Sequence, residues 1–271
     1  MNLAVSNIAW TNEEEPAIAK LLQNLGVKYI EIAPTKICED PTTMGTNEAQ
    51  AYVEFWRSYG IKVVAFQSML FTRPDLKLFE EDDNRQQTLA YLQNFTRLAG
   101  DMGAGVMVFG SPKNRQRGGV SVESAMQIAE PFFAEIGKTA SERGVNFCIE
   151  PNAEQYACDF VTNARQGIDF VNKVATPGFG LHLDIACMTL AGDDIEESIK
   201  AAAPILGHFH ISSPMLGDVK PGTEVDHETA AAALRSIGYD KYVSIEMRPS
   251  QDGNNLTRVE TAVKFAQAVY S

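Results

Sequence analysis

The chain has 271 residues, 45% of them apolar, and carries 35 acidic against 23 basic side chains for a formal charge of −12. That length can bury a sizeable core, as one α/β barrel or as two smaller domains. So large a negative excess argues against nucleic acid or an anionic membrane as partner, because phosphate recognition needs a cationic footprint.

Met1 to Trp10 lacks the basic start and long apolar segment of a secretion signal. No run approaches the roughly 20 apolar residues needed to cross a bilayer. The cysteines, Cys38, Cys148, Cys158 and Cys187, show no CxxC spacing. Reduced thiols in a cytoplasmic protein are the expectation.

Strand-like runs are expected at Leu3–Ala9, Tyr29–Ala33, Val63–Gln67, Val106–Gly110, Val145–Glu150, Phe179–Asp184, Ile205–Ile211 and Tyr242–Met247. Amphipathic stretches separate them, among them 13–25, 84–102, 122–143, 194–203, 228–237 and 256–270. Four strands share a lead-in in which a glycine (Gly26, Gly60, Gly103, Gly144) sits where a helix ends on a left-handed residue. Thr11 to Glu14 has capping-box spacing, and Ser121 to Ser124 is a second helix start. Eight strands alternating with about eight helices predict one closed (β/α)8 TIM barrel, a single α/β domain over residues 1–271. A doubly wound open sheet fits less well, since no GxGxxG or Walker-type loop follows the first strand.

Four late strands each end in a residue able to bind a metal: Glu150, Asp184, His210 and Glu246. They are 34, 26 and 36 residues apart (184−150, 210−184, 246−210), about one strand-plus-helix unit each time. In a barrel those strand ends converge on one face. Buried carboxylates and imidazoles are costly without partners, and a shared divalent cation is the simplest one. Side chains alternate along a strand, so His182 shares the inward column of Asp184, and His208 that of His210. Two residues span about 6.6 Å, too far for one ion to take all of them. The members nearer the mouth, Asp184 and His210, are taken as ligands, with His182 and His208 as hydrogen-bonding supports behind them. Three carboxylates and one imidazole suit Mn²⁺ or Mg²⁺, with Co²⁺ and Zn²⁺ as alternatives. Cys148, two residues before Glu150, faces inward one layer down.

With these residues in this order the sequence resembles the xylose isomerase-like barrel superfamily, in particular its sugar isomerase/epimerase branch, which includes tagatose and psicose 3-epimerases and hydroxypyruvate isomerase. The stretch from Asp226-His-Glu through Leu234-Arg-Ser-Ile-Gly-Tyr-Asp-Lys-Tyr-Val-Ser-Ile-Glu246 is similar to its last βα unit. The resemblance implies that Glu150 and Glu246 are both ligands and acid/base groups, and that Asp184 and His210 are ligands only. It also implies a substrate-binding histidine three residues after the aspartate, where this chain has Cys187. The implied chemistry is proton transfer through an enediolate between two glutamates.

Other residues are candidates for substrate contact. The loop after strand four, Gly110 to Gly119, holds Lys113, Arg115 and Arg117. Lys113 and Arg115 are read as contacts for an anionic or extended substrate. Arg248 shares the inward parity of Glu246, and Trp10, Glu31 and Gln67 close strands one to three. Phe66 to Arg73 could begin a lid, whereas His227 reads as an exposed neighbour of a helix cap.

The reading is therefore a divalent-metal-dependent isomerase or epimerase acting on a small sugar or sugar derivative, with no nucleic-acid or membrane partner. Self-association into a homo-oligomer is left open. The rivals are a metal-dependent lyase on the same scaffold (an inosose or dehydroshikimate dehydratase type), a DNA-repair endonuclease and a non-catalytic binder. The endonuclease would need a histidine-rich zinc cluster, and the chain has only four histidines.

Overall fold

The computed structural model describes residues 1–250 and 252–271. Eight parallel strands close into a barrel in sequence order. They are β1 (Asn2–Ser6), β2 (Tyr29–Ile32), β3 (Lys62–Phe66), β4 (Val106–Phe109), β5 (Asn146–Ile149), β6 (Phe179–Asp184), β7 (Leu206–Ser212) and β8 (Tyr242–Glu246). Strand β1 pairs with both β2 and β8, which closes the ring. The helices are α1 (Glu15–Asn24), α2 (Thr46–Ser58), α3 (Asp82–Asp101), α4 (Val122–Glu142), α5 (Ala164–Val174), α6 (Ile185–Ala191), α7 (Ile195–Ala202), α8 (His227–Ser236) and α9 (Asn255–Tyr270). Among the described residues, no helix is long and apolar enough to cross a membrane.

The expected local signals are present. Gly26, Gly60, Gly103 and Gly144 all have positive φ ahead of their strands. Thr11 and Glu14 form the capping box, and the Ser121 hydroxyl accepts from the Ser124 amide at the start of α4. One boundary moves. Strand β1 stops at Ser6, because Ser6 caps a single 3₁₀ turn over Asn7–Ala9 and the Asn7 side chain accepts from the Ala33 amide. These side-chain bonds offer the backbone an alternative to the strand ladder.

Strands buried on both faces read as near-continuous apolar runs. Their outward side chains meet the helices in one aromatic-rich layer. Phe133 of α4, fully buried, packs against Phe109, Phe147, Phe170 and Phe179. Truncating such a ring to alanine typically costs about 3–5 kcal/mol. Inside the barrel, small residues fill the floor: Ala4, Ala65, Val106 and Cys148 pack below, with Tyr29 and Tyr242 at the edge. Cys148 lies in that floor layer, as its parity predicts, and Gly207 is needed beside it because a Cβ there would collide with the Cys148 sulfur. Above the floor the interior turns polar.

Candidate active site

Strands β5 to β8 bring their C-terminal residues to one place. In the ladder, Asp184 is opposite His210 and Ser212 is opposite Glu246. Ligand atoms of Glu150, Asp184 and His210 lie within 4.8 Å of one another. His210 Nδ1 is 3.3 Å from Glu246 Oε2 and 3.9 Å from Asp184 Oδ2. Glu150, Asp184 and His210 are buried, and Glu246 is partly open. All three carboxylates line a cavity of about 180 Å³.

Local chemistry aims each group. Asp184 caps α6: its Oδ1 accepts from the Cys187 amide at 2.6 Å, while Oδ2 accepts from the Ser212 hydroxyl at 2.5 Å. Glu150 can swing toward the cavity because Gly110, at the end of β4, has no Cβ to block its carboxylate. The buried guanidinium of Arg115 donates through Nη2 to the Glu150 carbonyl at 2.5 Å and to Asn152 Oδ1 at 2.8 Å, bracing the chain after β5. His210 Nε2 faces Glu31, 3.0 Å away, which leaves Nδ1 on the cavity side.

The electrostatics follow from this crowding. Burial, then repulsion from Asp184 and Glu246, pushes the Glu150 carboxyl up to about 8, with His210 and Arg115 opposing. Burial and Glu246 also raise Asp184. Burial alone would keep His210 neutral, but Glu31 and Glu246 outweigh it and hold its imidazole well above the ordinary range. Burial likewise opposes charge on Glu31, yet His210 and His208 hold that carboxyl well below its usual value. Several carboxylates crowded at one largely buried place thus call for positive charge. His210 Nδ1 makes no hydrogen bond there. One imidazole nitrogen among carboxylate oxygens is a donor set that fits a divalent cation.

The other expected site residues divide by position. Gln67 and Cys187 line the inner cavity. Gln67 donates to the Ser6 hydroxyl at 2.6 Å. The Cys187 sulfur lies 3.8 Å from Glu150 Oε1 and accepts from Asn152 Nδ2 at 3.6 Å. Burial, then Asp184 and Glu150, pushes its thiol far up, so it sits there as a small neutral group. Trp10 and Arg248 line an adjoining outer recess. His182 and His208 lie fully buried, and the ring of His182 is 4.1 Å from that of His210 between centroids. Both nitrogens of His182 lack a partner.

Four expectations need correction. Glu31 is not at the mouth: it is fully buried and faces His208 and His210 from below. Arg115 is not an exposed loop cation: it is fully buried, with Nη2 bonded to the Glu150 carbonyl and Asn152 while Nε and Nη1 have no partner among the described residues. Lys113 is exposed and lines neither the cavity nor the recess, while Arg117 bonds Asp159. Nor is His227 exposed. It is buried, with Nδ1 2.9 Å from the Tyr270 hydroxyl.

Sequence reading missed Asn152 and Ser212, each two residues beyond a named ligand, so the same parity that linked His182 to Asp184 would have found them. Tyr156, Ser68, Ser111 and Leu216 also line the cavity. The last three have positive φ although none is glycine. Such backbone strain concentrates at functional mouths, but nothing in their composition announces it.

Known proteins share this arrangement of chain. An L-ribulose 3-epimerase from Methylomonas sp. (strain DH-1) is 24% identical over 228 residues, covering 83% of this chain and 76% of the relative. The D-psicose 3-epimerase of Clostridium cellulolyticum H10, solved with D-tagatose, superposes over 100% of both chains with a TM-score of 0.82 at 17% identity. The IOLI protein, solved with a zinc atom, covers 100% of this chain and 98% of its own at a TM-score of 0.79 and 19% identity. The family described as Xylose isomerase-like TIM barrel matches residues 19–269, which takes in every strand from β2 to β8 and all four strand-end ligand candidates. The protein belongs to the xylose isomerase-like TIM barrel family.

Proposed function

We propose that this protein is a divalent-metal-dependent isomerase or epimerase of a sugar or sugar derivative, with Glu150 and Glu246 as the proton-transfer pair. The observation that carries the reading is the convergence of Glu150, Asp184 and His210 within 4.8 Å, with Glu246 against His210, on the wall of a cavity. Similarity to an L-ribulose 3-epimerase and a D-psicose 3-epimerase supports a carbohydrate substrate, and the zinc-bound neighbour supports a metal.

Glu150, Asp184, His210 and Glu246 would hold the ion, with Mn²⁺ or Mg²⁺ best suited to so oxygen-rich a set. When bound, the ion supplies Lewis acidity that stabilises negative charge developing on a carbonyl oxygen. The chain's own residues do the rest. Asp184 is locked by Ser212 and the Cys187 amide, and His210 by Glu31, so neither is free to move protons at substrate carbon. Glu150 and Glu246 come from β5 and β8, three strands apart around the ring, and address a substrate between them from two sides. One carboxylate removes the proton next to the carbonyl and leaves an enediolate. The other returns a proton to the opposite face, giving an epimer. Return to the neighbouring carbon gives aldose–ketose isomerisation.

The test is deuterium incorporation from D₂O into a panel of ketoses and sugar phosphates by metal-loaded enzyme, followed by NMR and mass spectrometry. Exchange with conserved product mass is expected, whereas loss of water would indicate the lyase. Glu150→Gln and Glu246→Gln should each lower the rate on the order of 10²–10⁴-fold while metal still binds. Full turnover by metal-loaded Glu246→Gln would overturn the mechanism.

A further inference from the structure

The carboxylate cavity does not end at the carboxylates. Ser68, Leu216 and Glu246 line it, and the same three residues line a larger recess of about 580 Å³ toward the rim. We propose that this recess binds a second ring, so that the substrate is a keto sugar carrying a glycosyl substituent at the end remote from the reacting carbon. The proposal rests on the isomerase or epimerase reading and specifies its substrate class.

Size is the first argument. The inner cavity, at about 180 Å³, falls below the roughly 300–1,000 Å³ usual for small-molecule sites, and with the recess the space falls inside that range. A free ketose would fill the inner space and leave the recess to water.

The lining is the second argument. Trp10, Phe71, Leu216 and Pro249 give the recess apolar walls, and Arg248 stands at its edge. Phe71 is 82% exposed, a large apolar ring presented to solvent at the mouth. A sugar ring matches this mixture, offering C–H faces to apolar walls and hydroxyls to a polar edge. The lining also argues against a phosphate here. Lys36 is already committed, donating to the Trp10 carbonyl at 2.6 Å and to the Asn7 carbonyl, and Glu13 adds negative charge to the same wall. Arg248 is the remaining cation of the lining, and the carboxylates Glu13 and Glu246 in the same lining offset its charge.

Two of the residues shared by the two spaces have unusual backbone conformation. Ser68 and Leu216 have φ of 57° and 55°, a left-handed geometry that non-glycine residues adopt at a cost and that persists only where surrounding structure enforces it. Binding energy gathered in the recess can then serve the chemistry at Glu246, and a truncated substrate should lose rate as well as affinity.

The test compares D-fructose with isomaltulose, a fructose bearing glucose on O6, and melibiulose, bearing galactose on O6. The metal-loaded enzyme is assayed for deuterium incorporation from D₂O. At least one disaccharide should show kcat/KM about tenfold or more above fructose. Thr35→Trp, which fills the recess from its half-buried wall, and Phe71→Ala should each cut that ratio about tenfold. Calorimetric binding of the same sugars to metal-loaded Glu150→Gln reads the recess without turnover and should show the same preference. Equal affinity for fructose and both disaccharides, or a ratio unmoved by both substitutions, overturns the proposal. A dimer weakened by Phe71→Ala in sedimentation, with the ratio unmoved, would assign the recess to a second copy of the chain and also overturn it. No exchange with any sugar would count against the reaction itself, and the calorimetric preference would still decide the recess.

Discussion

Glu31 Oε2 lies 3.0 Å from His210 Nε2 in the barrel interior, where both residues are at most 1% exposed. The same carboxylate reaches His208 Nε2 at 3.3 Å. A carboxylate in that position fixes the N–H of each imidazole on Nε2, so that when His210 is neutral its Nδ1 lone pair points at Asp184 and Glu246. Glu31 therefore orients a candidate ligand from behind and touches no substrate.

Removing that anchor should weaken the metal site without dismantling it. Glu31→Gln leaves one oxygen acceptor to serve two imidazoles. Metal affinity is expected to fall about 10–100-fold, the usual effect of losing a partner behind a ligand. Titration calorimetry on the apo-protein measures it. Affinity equal to that of the unsubstituted protein would show that Glu31 is only a structural charge.

His210 and His208 should behave differently. Of the two, His210 is the one beside Asp184 and Glu246, so His210→Ala should abolish tight metal binding, whereas His208→Ala should act less directly, through Glu31. Metal content after dialysis against a limiting chelator separates the two. Equal loss would mean that the two rings share one layer.

Arg115 and Lys113 offer a contrast within one loop. Arg115→Ala removes a buried guanidinium and leaves the Glu150 carbonyl and Asn152 side chain without their donor. The cost should be about 3 kcal/mol, in line with breaking buried charged hydrogen bonds. Lys113→Ala, on an exposed side chain, should stay within about 0.5 kcal/mol. Urea unfolding of the two variants checks the difference, and equal stabilities would refute the assigned bracing role.

His227 supplies the pH dependence. Burial, only partly offset by Asp226, lowers its pKa to about 4, below the roughly 6.5 of an unfolded histidine. Between these values the unfolded chain binds the extra proton, so stability rises with pH there. The contribution is complete above pH ~6.5 and is lost as pH falls toward 4. The full span is worth about 3 kcal/mol. His227→Gln should flatten the stability profile over that window, and an unchanged slope would assign the acid sensitivity to other groups.

Much of the molecule was legible in its residues. The apolar runs broken by glycine-ended helices named eight strands and their order, because a strand buried on both faces must be apolar and a left-handed helix end favours glycine. Glu150, Asp184, His210 and Glu246 could be named from strand parity and even spacing, since each closes a repeat of the same unit. Parity says only whether a side chain points into the barrel. Its height along the axis depends on strand tilt and stagger, which closure of the whole ring sets. That is why Glu31, a plausible rim residue by its place in β2, lies beneath His210 instead. Arg115 shows the other limit. A cation in a polar loop reads as solvent-exposed, and only the fold of the β4 loop onto the end of β5 carries it inside, where the Glu150 carbonyl and Asn152 pair with it. The sequence by itself determined the barrel and the four converging strand ends. The tertiary structure decided which charges face the cavity and which hold it up, because depth and burial are properties of the closed ring and not of any one strand.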